Sequence, residues 1–188
     1  MIRSFSGYFK NLVEAVVDRS EAQTWVDAVE EWEMHDCEED SRSQSSCVCG
    51  KENLRYLFTI RNSVNGNELF PIGSRCINKF QRRELDDIAN ILEQRFRLLH
   101  AIENKRYIAL STDFFSRKLL LFLFDEGVFF PNEFNHYNPE TDYRFMVEMF
   151  NKRDKTSITA GQRRKINSII AFQIKPYLEK ELAGKMRT

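Results

Sequence analysis

Four cysteines, Cys37, Cys47, Cys49 and Cys76, carry the most distinctive chemistry in this chain of 188 residues, and all lie within one 40-residue window. Such clustering points to a shared task. The N-terminus, MIRSFSGYFKNLVEAVVDRS, has no sustained apolar stretch and no small-residue cleavage site, so it does not read as a secretory signal. The expected compartment is a reducing cytoplasm, where grouped thiols serve as metal ligands more often than as disulfides. Cys47 and Cys49 form a C-x-C-G knuckle, in which Gly50 can take the positive φ that turns backbone N–H groups toward the sulfurs.

The elements around the cysteines must bring them together. Residues 55–61 (RYLFTIR) read as a strand, and Asn65-Gly66 favours a two-residue type I′ turn. If Val64 pairs with Asn67, the return strand runs to Ile72 and Cys76 falls at the same end of the hairpin as Cys49. Pro71 cannot donate to a ladder, so the return strand is expected at an edge or to stop pairing early. Two ligands before a hairpin and one after it follow the logic of a zinc ribbon. For the fourth ligand we choose Cys37, since a complete thiolate set explains why every cysteine lies in this window. His35 is the reserve: an extended 32–37 segment would put both on one face. Zn²⁺ suits such a set, and four protein ligands would close its coordination sphere, giving it a structural role. Incidental free cysteines and an iron–sulfur or redox centre are the alternatives.

Charge is balanced overall, with Lys+Arg 28 against Asp+Glu 28, but strongly segregated. Nine acids and no Lys or Arg lie between Ser20 and Ser41. Between Asn151 and Thr188 there are ten Lys or Arg against three acids. Both could be solvated faces that aid solubility. As a partner surface, the acidic pole would use Glu30, Glu31, Glu33, Asp36, Glu38, Glu39 and Asp40. A nucleic-acid reading would use Arg163, Arg164, Lys165, Lys175 and Lys180, with Arg55, Arg61 and Arg75 around the hairpin, but a neutral chain lacks the overall basicity such modules have.

The remaining chain is helical in pattern. Helices are expected within residues 4–30, the second capped by Ser20 and presenting Trp25, Val29 and Trp32 on one face. Leu85, Ile88, Leu92, Phe96, Leu99 and Ile102 step through a long amphipathic helix from Arg83 to about Lys105. Further helices are expected at 113–126 after Ser111 or Thr112, at Asn138-Pro139-Glu140, and after Thr159 with Gln162 completing a capping box. Pro176 should kink the last near Phe172. The expected class is therefore α+β, mainly α: N-terminal helices and a zinc-stapled hairpin over 1–80, then a helical bundle over 81–188. Nine phenylalanines between Phe114 and Phe150 suit an aromatic core, with Phe129, Phe130 and Phe134 as an alternative exposed anchor.

No catalytic constellation stands out. Glycines are scattered, without G-x-G-x-x-G, P-loop or H-E-x-x-H, so the chain reads as a non-enzyme with no small-molecule substrate. The longest apolar run, Leu119 to Phe124, is far below the roughly 20 residues of a bilayer span.

The stretch CVCGKENLRYLFTIRNSVNGNELFPIGSRCINKF resembles small zinc-ribbon proteins encoded by prophages and mobile elements of Gram-positive bacteria. Its Cys47, Cys49 and Gly50, the I-R-N of Ile60 to Asn62, and the G-S-x-C-I-x-K-F of Gly73 to Phe80 carry the likeness. The segment from Tyr143 to Leu178 is similar to the helical tail of that group. The resemblance implies a zinc-binding accessory protein. One member looks like a type II-A anti-CRISPR protein, which makes an inhibitor of an RNA-guided Cas nuclease the specific expectation and a nucleic-acid-binding accessory protein the alternative.

Overall fold

The computed structural model describes residues 7–185, and the expected helix start at residues 4–6 lies outside them. The order is α1 (Gly7–Val17), α2 (Trp25–Ala28), β1 (Trp32–Glu39), β2 (Tyr56–Asn62), β3 (Glu68–Ile72), α3 (Ser74–Ile77), α4 (Arg83–Glu103), α5 (Arg117–Asp125), α6 (Pro139–Asn151), α7 (Ala160–Ile169) and α8 (Lys175–Lys185). The class is α+β and mainly α, as expected. The chain divides into two compact units, residues 1–93 and 94–188, the division falling within α4. Among the described residues no helix is long and apolar enough to cross a membrane.

In the first unit the sheet is antiparallel, in the order β1-β2-β3. The third strand, β1, takes the extended reading of residues 32–37 and removes Trp32 from the expected N-terminal helix. Thr24, not Ser20, caps α2, its hydroxyl accepting from Asp27 N–H, and after a 3₁₀ turn at Val29–Glu31 the chain becomes extended at Trp32. Ser20 instead accepts a 2.9 Å bond from Trp32 Nε1, which satisfies the indole N–H of a fully buried ring. Phe9, Trp25 and Phe80 meet edge to face, joining α1, α2 and the 3₁₀ turn at Asn78–Phe80.

The hairpin turn is longer than expected. Beside the turn Arg61 pairs with Glu68 and Ile60 with Leu69, a displacement of two residues, while beyond an irregularity Phe58 pairs with Ile72, a displacement of one. The cause is Asn62. Its Oδ1 accepts from Val64 N–H and Asn65 N–H while Gly66 N–H donates to its carbonyl, so the turn holds four residues. Gly66 takes a positive φ of 76°, but Asn65 does not, as type I′ would require. β3 is an edge strand and its register slips beside Phe70-Pro71, a cis peptide.

The second unit holds α5 to α8. Ser116, with its side chain accepting from Leu119 N–H, caps α5, so this helix starts after the expected Ser111 or Thr112. Asn138 and Pro139 open α6, and Thr159 with Gln162 forms the capping box of α7. The expected kink at Pro176 is a π-helical turn, Ile170–Ile174. Proline has no N–H for Phe172 O, and its ring crowds that carbonyl, so the turn just before it widens.

Candidate metal centre

The knuckle is fixed from three directions. Cys47 N–H donates to Lys51 O (2.8 Å) and Gly50 N–H to Cys47 O (2.7 Å), closing the turn with Gly50 at φ 90°. Val48 N–H donates to Pro71 O of β3 (2.9 Å), and Asn11 Nδ2 of α1 donates to Cys49 O (3.1 Å). β3 then leads through Gly73 into α3, where Cys76 turns its side chain back toward the knuckle. Gly73 packs closely here: a Cβ would lie 3.0 Å from Leu54 Cδ2, and that side chain would have to shift to admit it.

Three sulfurs converge. Cys47 Sγ is 3.6 Å and Cys49 Sγ 3.4 Å from Cys76 Sγ, and all three ligand atoms lie within 4.8 Å of one another. These three residues could hold a metal ion. The separations exceed a disulfide's roughly 2.05 Å by far, and no disulfide links any of the four cysteines. They approach the roughly 3.8 Å edge of a tetrahedron built on zinc–sulfur bonds of about 2.3 Å. Gly73 N–H donates to Cys47 Sγ at 3.4 Å, the kind of backbone contact that steadies a thiolate ligand.

Electrostatics favour a cation here. The hydrogen bond from Cys76, together with backbone N–H groups, lowers the Cys47 thiol to about 5. Burial raises Cys49, and the neighbouring Cys47 raises Cys76. The group therefore carries one thiolate readily and resists three, unless a positive ion offsets their repulsion. A cavity of about 210 Å³ opens beside it, lined by Cys47, Ser74, Arg75, Cys76 and Glu93 among others.

Neither proposed fourth ligand joins this group. Cys37 is buried in β1 opposite Phe58, which is itself opposite Ile72. The row runs Cys37, Phe58, Ile72, so two inter-strand spacings of about 4.8 Å separate Cys37 from the strand that leads to Cys76. His35 is the extra residue of a bulge, since pairing passes from Met34–Ile60 to Asp36–Thr59. A bulge reverses the alternation, so His35 is exposed while Cys37 is buried, and the two do not share a face. Its Nε2 lies 3.9 Å from Glu68 Oε1.

The acidic pole separates into two kinds of residue. Glu31 accepts from Asn62 Nδ2 and from the N–H groups of Glu21 and Ala22. Glu39 pairs with Arg55 at 2.8 Å, and Asp40 accepts from the N–H groups of Arg42, Gln44 and Ser45 and from the Ser45 hydroxyl. These three hold loops and strands together. Glu33, Asp36 and Glu38 are exposed along β1, with Asp36 Oδ1 accepting from Cys37 N–H. Glu30 is exposed, 3.8 Å from Arg82 Nε, and Arg82 also donates to the carbonyls of Val29, Glu30 and Trp32.

The basic residues are similarly occupied. Arg163 donates to the Ile158 and Lys155 carbonyls, Lys165 lies 2.9 Å from Asp142 Oδ1, and Lys175 lies 3.6 Å from Glu179. Arg164 and Lys180 are exposed. No protein-family model, curated protein or solved structure matches the chain.

Proposed function

We propose that this chain is a zinc-organised, non-enzymatic protein of a prophage or mobile element, which inhibits a type II-A RNA-guided Cas nuclease by protein–protein contact in the bacterial cytoplasm. The observation that supports it most is the convergence of the Cys47, Cys49 and Cys76 sulfurs, which belong to the same motif that carries the family resemblance. A set of thiolates on a knuckle braced by α1 and β3 suits a metal that stabilises its surroundings. Such nucleases hold nucleic acid in strongly positive channels, and the exposed Glu33, Asp36 and Glu38 of β1 offer a complementary strip. The nucleic-acid reading ranks second, since Arg163, Lys165 and Lys175 are engaged within the protein.

Two measurements test this. Metal analysis of purified protein should find close to one zinc per chain, lost in Cys47→Ser and Cys76→Ser but kept in Cys37→Ser. A pull-down against the nuclease, with and without guide RNA, should retain the protein, and Glu33→Lys with Glu38→Lys should weaken binding by at least about 10-fold. No binding in either state removes the inhibitor reading while leaving the metal site intact.

A further inference from the structure

Zinc in a structural site takes four donors from Cys, His, Asp or Glu, so the three converging sulfurs of the first unit call for one more. The cavity of about 210 Å³ beside them narrows the choice. Cys47 and Cys76 form part of its wall, and Lys51 and Arg75 bring positive charge to it. Glu93 is the one carboxylate among the lining residues, and no histidine is among them.

The place of Glu93 in α4 is unusual for a solvated acid. The helix buries Leu85 and Ala89, each 2% exposed, and the next step of four along that side reaches Glu93, which is half-buried. Among the described residues its carboxylate accepts no hydrogen bond and makes no ion pair, although Lys51 and Arg75 line the same cavity. An acid beside grouped thiols adds negative charge where thiolates already repel one another, and a divalent cation among them offsets it. The carboxylate is not among the ligand atoms that already lie within 4.8 Å of one another. Bringing it in takes rotation about the bonds of one flexible side chain, with no hydrogen bond or ion pair to give up.

We propose that Glu93 is the fourth ligand of this metal centre, its carboxylate joining Cys47, Cys49 and Cys76 on one zinc ion. Glu93 has this role only if the metal reading above holds, and it adds α4 to the knuckle and α3 as an element that the metal fastens. The set closes without Cys37 or His35. Three thiolates and a carboxylate outweigh the charge of a divalent ion, and Lys51 and Arg75, neither in an ion pair among the described residues, stand at the cavity to offset the excess.

Zinc titration of the full chain, in competition with a chromophoric chelator, tests the assignment. Glu93→Gln should bind zinc at least about 10-fold more weakly than the wild type, since loss of a residue merely behind a ligand already costs that much. Glu52→Gln, which neutralises an exposed acid close after the knuckle, should bind like the wild type. The Glu93→Gln deficit should persist in high salt, where a general effect of charge fades. The cadmium-113 resonance of cadmium-loaded wild type should report three sulfurs and an oxygen, a readout that needs no variant. Wild-type protein that binds no zinc ends the metal reading and this assignment with it. Zinc bound equally by wild type and Glu93→Gln, a deficit that vanishes in high salt or is matched by Glu52→Gln, or a four-sulfur resonance overturns the role of Glu93 alone and leaves a cysteine centre standing.

Discussion

Glu31 Oε2 accepts a 2.5 Å hydrogen bond from Asn62 Nδ2, and the same carboxylate caps the backbone N–H groups of Glu21 and Ala22. The Asn62 bond leads in holding this carboxyl below its ordinary range. One acidic side chain thus joins the segment before α2, the end of the 3₁₀ turn and the hairpin loop.

Substituting Glu31 by Lys should therefore lower the melting temperature. Glu33→Lys and Glu38→Lys, on the exposed side of β1, should leave it within about 2 °C. Thermal unfolding by circular dichroism separates the two groups, and equal losses at all three positions would contradict the division of the acidic pole.

Metal uptake should be pH-dependent in a specific sense. Above about pH 5 Cys47 is already a thiolate, whereas Cys49 and Cys76 keep their protons until a cation replaces them. Binding at neutral pH should release about two protons per ion, and affinity should fall as pH falls. Calorimetry in two buffers of different ionisation enthalpy counts those protons.

Asp40 is lowered to about 2, first by the Ser45 hydroxyl and then by the loop's N–H groups. A depressed folded pKa contributes stability that is fully present above the unfolded value near 3.8 and lost as pH falls toward 2. Protection of the Gln44 and Ser45 amides, relative to the free-chain exchange rate at each pH, should hold at pH 5 and be lost between roughly pH 4 and 2. Asp40→Asn should leave that protection low at every pH.

Asp142 makes a corresponding claim for the second unit. Burial pushes its carboxyl up, but Lys165, Gln173 and Asn135 together outweigh it and hold the group below the ordinary range. Its contribution is thus present above pH about 4 and lost on acidification. Asp142→Leu, which strands the amides of Asn135 and Gln173, should cost about 2–4 kcal/mol in denaturant unfolding.

Helices with both a periodic face and a capping residue were legible from composition alone. Asn138-Pro139 and Thr159 with Gln162 mark α6 and α7 at their observed starts. The convergence of Cys76 on the knuckle followed from the hairpin even though its register did not, because either pairing returns the chain to the end of β2 at which the knuckle lies. An extended 32–37 segment was one reading of the sequence, but its bulge was hidden: His35 breaks the alternation, so neither a period of two nor a helical period fits Trp32, Met34 and Cys37. Cys37 could be placed only once β1 was known to lie on the far side of β2 from β3. The phenylalanine loop divided in a way local pattern does not encode, with Phe129 buried beside Tyr143 and Phe134 exposed, while the side chain of Asn135 ties the loop to the Phe130 carbonyl.

β1 is also an outer strand of its sheet, and such strands invite pairing with their own kind. Two copies approaching antiparallel along this border would bring Glu33, Asp36 and Glu38 of one against the same three of the other. The repulsion guards against polymerisation through backbone bonding, and it weakens as salt screens it. The acidic strip therefore works against pairing with copies of itself.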